Sequence, residues 1–225
     1  MSKLEMHVHT AECDGCATVK ARDIVKMYHD HGYDGLVITD HYNVNFQDWL
    51  LQCMGRGPDV PHHDLMERWM RGYYEARDEG EKLGFTVLLG AELRFDNCPN
   101  EFLIYGLEED FFYQTPLLNH LSGLQELDSV LPEEACVFMA HPFRNGMVVL
   151  FPFPLMGIEV INGRTETIRN DMARMYAEHY GKRMLAGSDF HTPKDFAKGG
   201  IITSAEIRTS ADLSAALRSG EYTVF

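Results

Sequence analysis

Long apolar runs are missing from this 225-residue sequence. The longest, VVLFPFPLMGI at 148–158, is broken by two prolines and falls well short of the ~20 residues a membrane helix needs. Basic clusters are missing too. Twenty Lys and Arg stand against 34 Asp and Glu, a formal net charge of −14, so nothing tracks a polyphosphate backbone and nucleic acid is a poor partner. The start, MSKLEMHVHT, carries no apolar signal region, and a cytoplasmic location is the expectation. The five cysteines (Cys13, Cys16, Cys53, Cys98 and Cys136) are odd in number and scattered, which argues for reduced thiols over a disulfide framework. Cys13 and Cys16 form a CxxC, yet no partner pair follows at zinc-finger spacing, and coincidence is the preferred reading. Repeats, low-complexity tracts and a GxSxG nucleophile elbow are also lacking.

What is present, 45% hydrophobic and 24% charged residues, suits one soluble globular domain over 1–225. Such a chain buries roughly 70% of its unfolded surface without needing staples. Short β-like runs at 4–9, 36–39, 86–93, 102–105, 136–140, 158–161, 184–186 and 200–202 alternate with helical periodicity at 18–31, 64–83, 117–130, 166–180 and 211–218. Thr18 and Ser210 are the expected N-caps. That rhythm predicts an α/β layer structure. The stretch 43–63 breaks it and reads as a long loop, either a lid over a site or an insertion without a role. FPFPL at 151–155 reads as an apolar loop that lines a pocket or plugs the core.

Histidines and acids recur where strands end. His7 and His9 close the first run and share a face by the two-residue period of a strand. Asp14 follows in a turn; Asp40 and His41 follow LVIT; Glu92 lies in LLGAEL, His141 ends VFMAHP, and Asp189 with His191 closes LAGSDFH. Gathered in one cavity, so many acids and imidazoles need compensating charge, which divalent cations supply. Mixed nitrogen and oxygen donors suit zinc, manganese or iron.

The motifs HVHTAECDG, ITDH, GAE, AHP, IEVING and GSDFH, in this order over nearly the whole chain, resemble the polymerase and histidinol phosphatase (PHP) family. The resemblance implies a distorted (β/α)7 barrel with two or three divalent metals at the strand ends, and phosphoesterase chemistry. By that resemblance His7, His9, Glu92 and Asp189 hold a first metal. Glu92 bridges to a second, bound also by His141, and Asp14, His41 and His191 hold a third. Where the family has a further histidine, in the form HxLxY, this chain has Glu101 in EFLIYG, a departure that still offers a ligand and adds negative charge.

The expected reaction is hydrolysis of a small phosphorylated metabolite, with Asp189 or His191 passing a proton to the leaving group. Arg144 after AHPF and Arg164 in INGR are the candidate phosphate contacts, because a guanidinium fork fits phosphate oxygens. Asp40 either orients an imidazole or caps the following turn. Glu159 and Asn162 are read as pocket-lining or structural, and His29, His31, His62, His63, His120 and His179 as surface residues. The rival readings are a phosphodiesterase or nuclease, a regulatory module without catalysis, and a hydrolase of carbon esters or amides.

Overall fold

In β1 (Ser2–Val8), strand periodicity would place Leu4, Met6 and Val8 on one face. Leu4 and Met6 instead join one buried cluster and Val8 another. A β-bulge between Glu5 and Val8, in the parallel pairing with β2 (Gly35–Ile38), accounts for the switch. Glu5 is fully buried at this bulge and satisfies it: its Oε1 accepts from the amides of Met6 (2.9 Å) and His7 (3.1 Å). The change of face sends His7 and His9 to the same side as the inward residues below them. The structure, a computed structural model, describes every residue except Asp14 and residues 56–59.

One sheet has the order β11 (Tyr222–Val224), β10 (Ile201–Thr203), β1, β2, β4 (Thr86–Leu89). The other runs β3 (His41–Tyr42), β5 (Ala91–Arg94), β6 (Glu101–Tyr105), β7 (Cys136–Met139), β8 (Gly157–Asn162), β9 (Arg183–Gly187). Two junctions join them. β4 continues through Gly90 into β5, with the Gly90 amide donating to Ile38 O at 2.8 Å. Beyond β9, Phe190 makes a parallel bridge with Val8, its amide donating to His7 O (3.0 Å) while His9 N donates to Phe190 O (2.9 Å). The neighbour relations thus return on themselves through seven staves, the distorted (β/α)7 arrangement of the expected α/β class. The distortion is β6, antiparallel to both β5 and β7.

Inside the ring, Leu4, Met6, Val37, Leu88, Leu103, Tyr105, Phe138 and Leu185 form one buried cluster. The larger cluster packs the outward faces against helices α1 (Ala21–Asp30), α3 (His62–Trp69), α4 (Arg71–Leu83) and α7 (Thr167–His179). α8 (Ser210–Ser219) packs where β6 ends and β7 begins, and so covers the end of the ring away from the imidazoles. Among the described residues no helix is long and apolar enough to cross a membrane.

Several boundaries differ from the sequence reading. Within 43–63 the chain forms α2 (Val44–Met54), started by Asn43, whose side chain accepts from Asn45 N and Phe46 N; residues 56–59 of that stretch lie outside the described residues. The helix expected at 64–83 breaks at Met70 into α3 and α4. At 117–130 a short 3-10 turn, Leu118–His120, and Gly123 at φ 150° precede α6 (Leu124–Val130). α5 (Glu109–Gln114) and β11 had no expectation. Thr18 is not a cap: α1 begins after Lys20, its first amide bonded by the distant Glu12 side chain (3.0 Å), while Thr18 N donates to His191 O (2.9 Å). α8 is capped by Thr209, one residue before Ser210, through a reciprocal box with Asp212. In FPFPL, Phe151 and Phe153 are exposed, while Pro152 and Leu155 are buried.

Glu5 also binds the closing seam, accepting from Ser188 N (2.8 Å), Ser188 Oγ and Tyr28 Oη. Each stranded buried donor costs about 1–3 kcal/mol, so Glu5→Ala should lower unfolding stability by about 3 kcal/mol or more, with Glu5→Gln losing less. Chemical denaturation reads this; an alanine variant as stable as the parent would show that the seam does not depend on this carboxylate.

Candidate metal centre

Strand direction brings the polar residues to one end of the ring. His7 and His9 leave β1, His41 follows β2, Glu92 sits in β5, His141 follows β7 and Asp189 follows β9. β6 runs the other way, so its first residue, Glu101, pairs with Arg94 at the end of β5 and lies at the same mouth. The sequence pattern of strand C-termini does not anticipate that position; the reversal of β6 does.

The residues meet around one carboxylate. Glu92 Oε1 lies 2.9 Å from His141 Nε2 and 3.3 Å from His7 Nε2, while Oε2 lies 3.1 Å from His41 Nε2 and 3.3 Å from His9 Nε2. Asp189 Oδ1 is 3.2 Å from His191 Nδ1, 3.6 Å from His9 Nε2 and 3.7 Å from His7 Nε2. Glu101 Oε2 is 3.6 Å from His141 Nε2. Among the described residues, donor atoms within metal-sharing distance form four overlapping groups: His7, His9 and Glu92; His7, His141 and Asp189; His41, Glu92 and Glu101; His9, His41 and His191. Asp14, expected beside the last of these, lies outside the described residues.

Supporting residues fix the donors. The His7 ring donates through Nδ1 to Glu159 Oε1 at 2.8 Å, which turns Nε2 into the cluster. Glu159 Oε2 accepts from His141 N (2.9 Å) and Asn162 Nδ2 (3.0 Å). The sequence reading left Glu159 and Asn162 as lining; the carboxylate–imidazole contact gives Glu159 a specific orienting part. A Cβ at Gly187 would lie 2.5 Å from His7 Cβ, so only glycine allows the ring its place. His141 (φ 24°) and Asp189 (φ 51°) both hold left-handed backbone, strain that side chains at a functional site sustain. Asp40 accepts from the amide (2.6 Å) and hydroxyl (2.8 Å) of Thr10, bracing the turn after β1. Arg144 Nη1 donates to Asp189 Oδ2 (3.1 Å) and Arg164 Nη1 lies 3.8 Å from Oδ1, so both expected arginines reach the rim. Arg94, 3.8 Å from Glu101, is a third that the sequence reading missed, although its spacing from Glu92 puts the two on one strand face. His62 and His120 bind Phe112 O and Asp96, away from the cluster.

Burial would lower His7 and His141, but Glu92, Asp189 and Glu159 outweigh it and hold both above the usual imidazole range. Against the same opposing burial, the Asp189 carboxylate and the nearby Cys16 thiol push His191 up to about 9. Burial would raise Glu92 and Asp189, and the imidazoles hold both well below the usual carboxylate range. Burial and the charge of Glu92 raise Glu101. The donor set fits divalent cations: His7 Nε2 and Asp189 Oδ1 are fully buried with no hydrogen-bond partner, and both face the same space. Such atoms are costly unless something of opposite demand sits between them.

The PHP domain family matches residues 5–191, and a PHP-associated family matches residues 167–222. The chain belongs to the PHP family. Among solved structures, this PHP chain is similar over its whole length to a two-domain protein from Bacteroides vulgatus containing a predicted PHP-like metal-dependent phosphoesterase, with 19% identity and a TM-score of 0.71; it spans 64% of that protein's length. PsfC from Pseudomonas syringae is 15% identical with a TM-score of 0.68, covered over 92% of its own chain and 100% of this one. An amidohydrolase from Chromobacterium violaceum, solved with sulfate and no metal, is 13% identical with a TM-score of 0.60, covering 98% of this chain and 97% of its own. No curated protein matches the chain.

Metals need neutral imidazoles, so cations must displace the protons that His7, His141 and His191 hold. Cation affinity of this PHP chain should rise with pH, and calorimetry at pH 7 in buffers of different ionisation heat should show proton release; the same heat in every buffer would contradict it. In the metal-free protein, raised imidazole values stabilise fully below about 6.5 and lose that contribution as pH rises through about 9 for His191. Its Tm should therefore fall across that window.

Proposed function

We propose that this PHP chain hydrolyses phosphomonoesters of small metabolites, using two or three divalent cations (zinc, manganese or iron) held by His7, His9, His41, Glu92, Glu101, His141, Asp189 and His191. The observation that carries the reading is the Glu92 carboxylate with four imidazole nitrogens 2.9–3.3 Å from its oxygens. His7, whose Nδ1–H is committed to Glu159, when neutral aims its Nε2 lone pair at Glu92 Oε1, and charged rings would crowd around one carboxylate; cations between them resolve both conflicts.

When bound, the cations supply Lewis-acid polarisation of the phosphoryl oxygens and a more acidic water. The chain's own residues do the rest. Arg144 and Arg164 are one-third exposed beside Asp189, free to swing a guanidinium onto phosphate oxygens. Glu159 keeps His7 in the tautomer that donates outward through Nδ1. Asp189 Oδ1, 3.2 Å from His191 Nδ1, fixes the orientation of that ring at the mouth. A cavity of about 350 Å³ beside His41 and Glu101, walled by Arg94, Asn45, Phe46 and Trp49, gives a small leaving group room. The net charge of −14 and the lack of a basic track weigh against a polymer substrate.

Metal-stripped protein reloaded with manganese or zinc should hydrolyse members of a phosphomonoester panel. Asp189→Ala should lose metal and turnover together. Arg144→Ala should keep its metal and raise KM by roughly tenfold to a hundredfold, the loss of a charged hydrogen bond. Fully loaded protein that cleaves a labelled oligonucleotide or an amide panel, and no monoester, would replace this reading with a rival.

A further inference from the structure

Helix α7 buries small residues and exposes large ones. Ala173 and Ala177 face the ring, while Ile168, Met172 and Met175 recur at a four-then-three spacing that makes one apolar stripe in solvent. The loop after β7 lies alongside. Tyr176 Oη donates to Leu150 O, Arg169 Nη2 donates to Asn145 Oδ1 (2.7 Å), and the Phe151 ring meets Tyr180 edge-on at 5.4 Å. On this loop Val148, Val149, Phe151 and Phe153 are exposed, although buried Asn100 pins Val148 through its amide (2.9 Å) and its carbonyl (2.7 Å). Among the described residues, eight of the eleven exposed large apolar side chains belong to these two neighbouring segments, 148–153 and 168–180. A cavity of about 420 Å³ opens beside Leu150, walled by Phe95, Cys98, Phe102 and Leu124, and among the described residues no charged side chain lines it. An aromatic ring, which needs about 150 Å³, fits there.

We propose that a second copy of this chain covers this face, as a two-fold dimer in which Phe151 of each copy enters the cavity beside Leu150 of the other and the α7 stripes close the contact. A plug and a socket side by side on one surface are what an isologous contact requires, since each copy must offer both. At exposures of 39–70%, the eight side chains, each about 150–200 Å² in full, leave roughly 800 Å² of apolar surface uncovered. That exceeds the largest patch of a typical monomer, about 300–600 Å², and matches the about 800 Å² that each partner of a standard interface buries. Charge selects the occupant. Each copy carries −14, yet no Asp or Glu occurs between Glu134 and Glu159, so two copies approach with least repulsion through this loop. An anionic bilayer would repel the acid-rich remainder of the chain. The same loop carries Arg144, so the contact borders the rim of the metal centre.

The inference stands apart from the proposed function and is read without metal or substrate. Sedimentation velocity of the full-length, reduced protein over a range of concentrations should show twice the chain mass, with a dissociation constant in the micromolar range or below. Phe151→Asp and Met175→Asp, at exposed positions, should each weaken the dimer at least about thirtyfold while keeping the circular dichroism of the parent. Ser204→Asp, exposed beyond β10 at the far end of the ring, adds the same charge and should leave the dimer intact. Added salt should tighten the association by screening the repulsion between copies. A chain that is monomeric at every concentration, a dimer that survives both substitutions, or equal weakening by Ser204→Asp would each overturn the proposal. So would monomers that sediment with phosphatidylcholine vesicles and lose that binding in Phe151→Asp, which would assign the face to a membrane.

Discussion

Glu92 governs the architecture of the mouth. Its two oxygens each face two imidazole nitrogens, from His7 and His141 on one side and from His9 and His41 on the other. These come from three different stretches of chain, so the carboxylate needs the ring closed before all of the contacts exist. In a buried setting the arrangement is tolerable only with compensating charge, and without metal the group relies on protons retained by His7, His141 and His191. Folding and metal binding are coupled through the same atoms.

The bulge in β1 is the backbone counterpart of that constraint. It moves His7 and His9 to the inner side while Leu4 and Met6 stay in the core below, and Glu5 satisfies the amides that the irregularity exposes. β9 and the Ser188 turn close on the same carboxylate. Glu5 pays for its place with complete burial, which pushes its carboxyl up to about 7. The end of the ring that holds the donors is thus braced by a polar seam rather than by apolar contact alone.

Much of this was legible in the sequence. Period-two spacing in HVH and acids after strand-like runs pointed to the residues that gather around Glu92. Asp14 is the one expected ligand outside the described residues. Other features left no local signal. Glu5 and Glu159 sit mid-strand, where the sequence shows no donor for an acid, and only the bulge and the partner strands reveal their donors. α2 was hidden because its residues carry weak apolar periodicity and their order depends on Asn43 and on packing of Phe46 and Leu50 into the core. The cap of α1 comes from Glu12, nine residues away, where a search for adjacent Ser or Thr finds Thr18 instead.

The central claim is that donors far apart in sequence share cations around Glu92 and Asp189. The most direct test is anomalous scattering from crystals of the metal-loaded protein, collected on either side of the absorption edge of the metal. The account requires peaks within coordination distance of Glu92 and Asp189, framed by His7, His9, His41, His141 and His191. A fully loaded crystal whose peaks all lie elsewhere, with these side chains bonded only to one another, would contradict it.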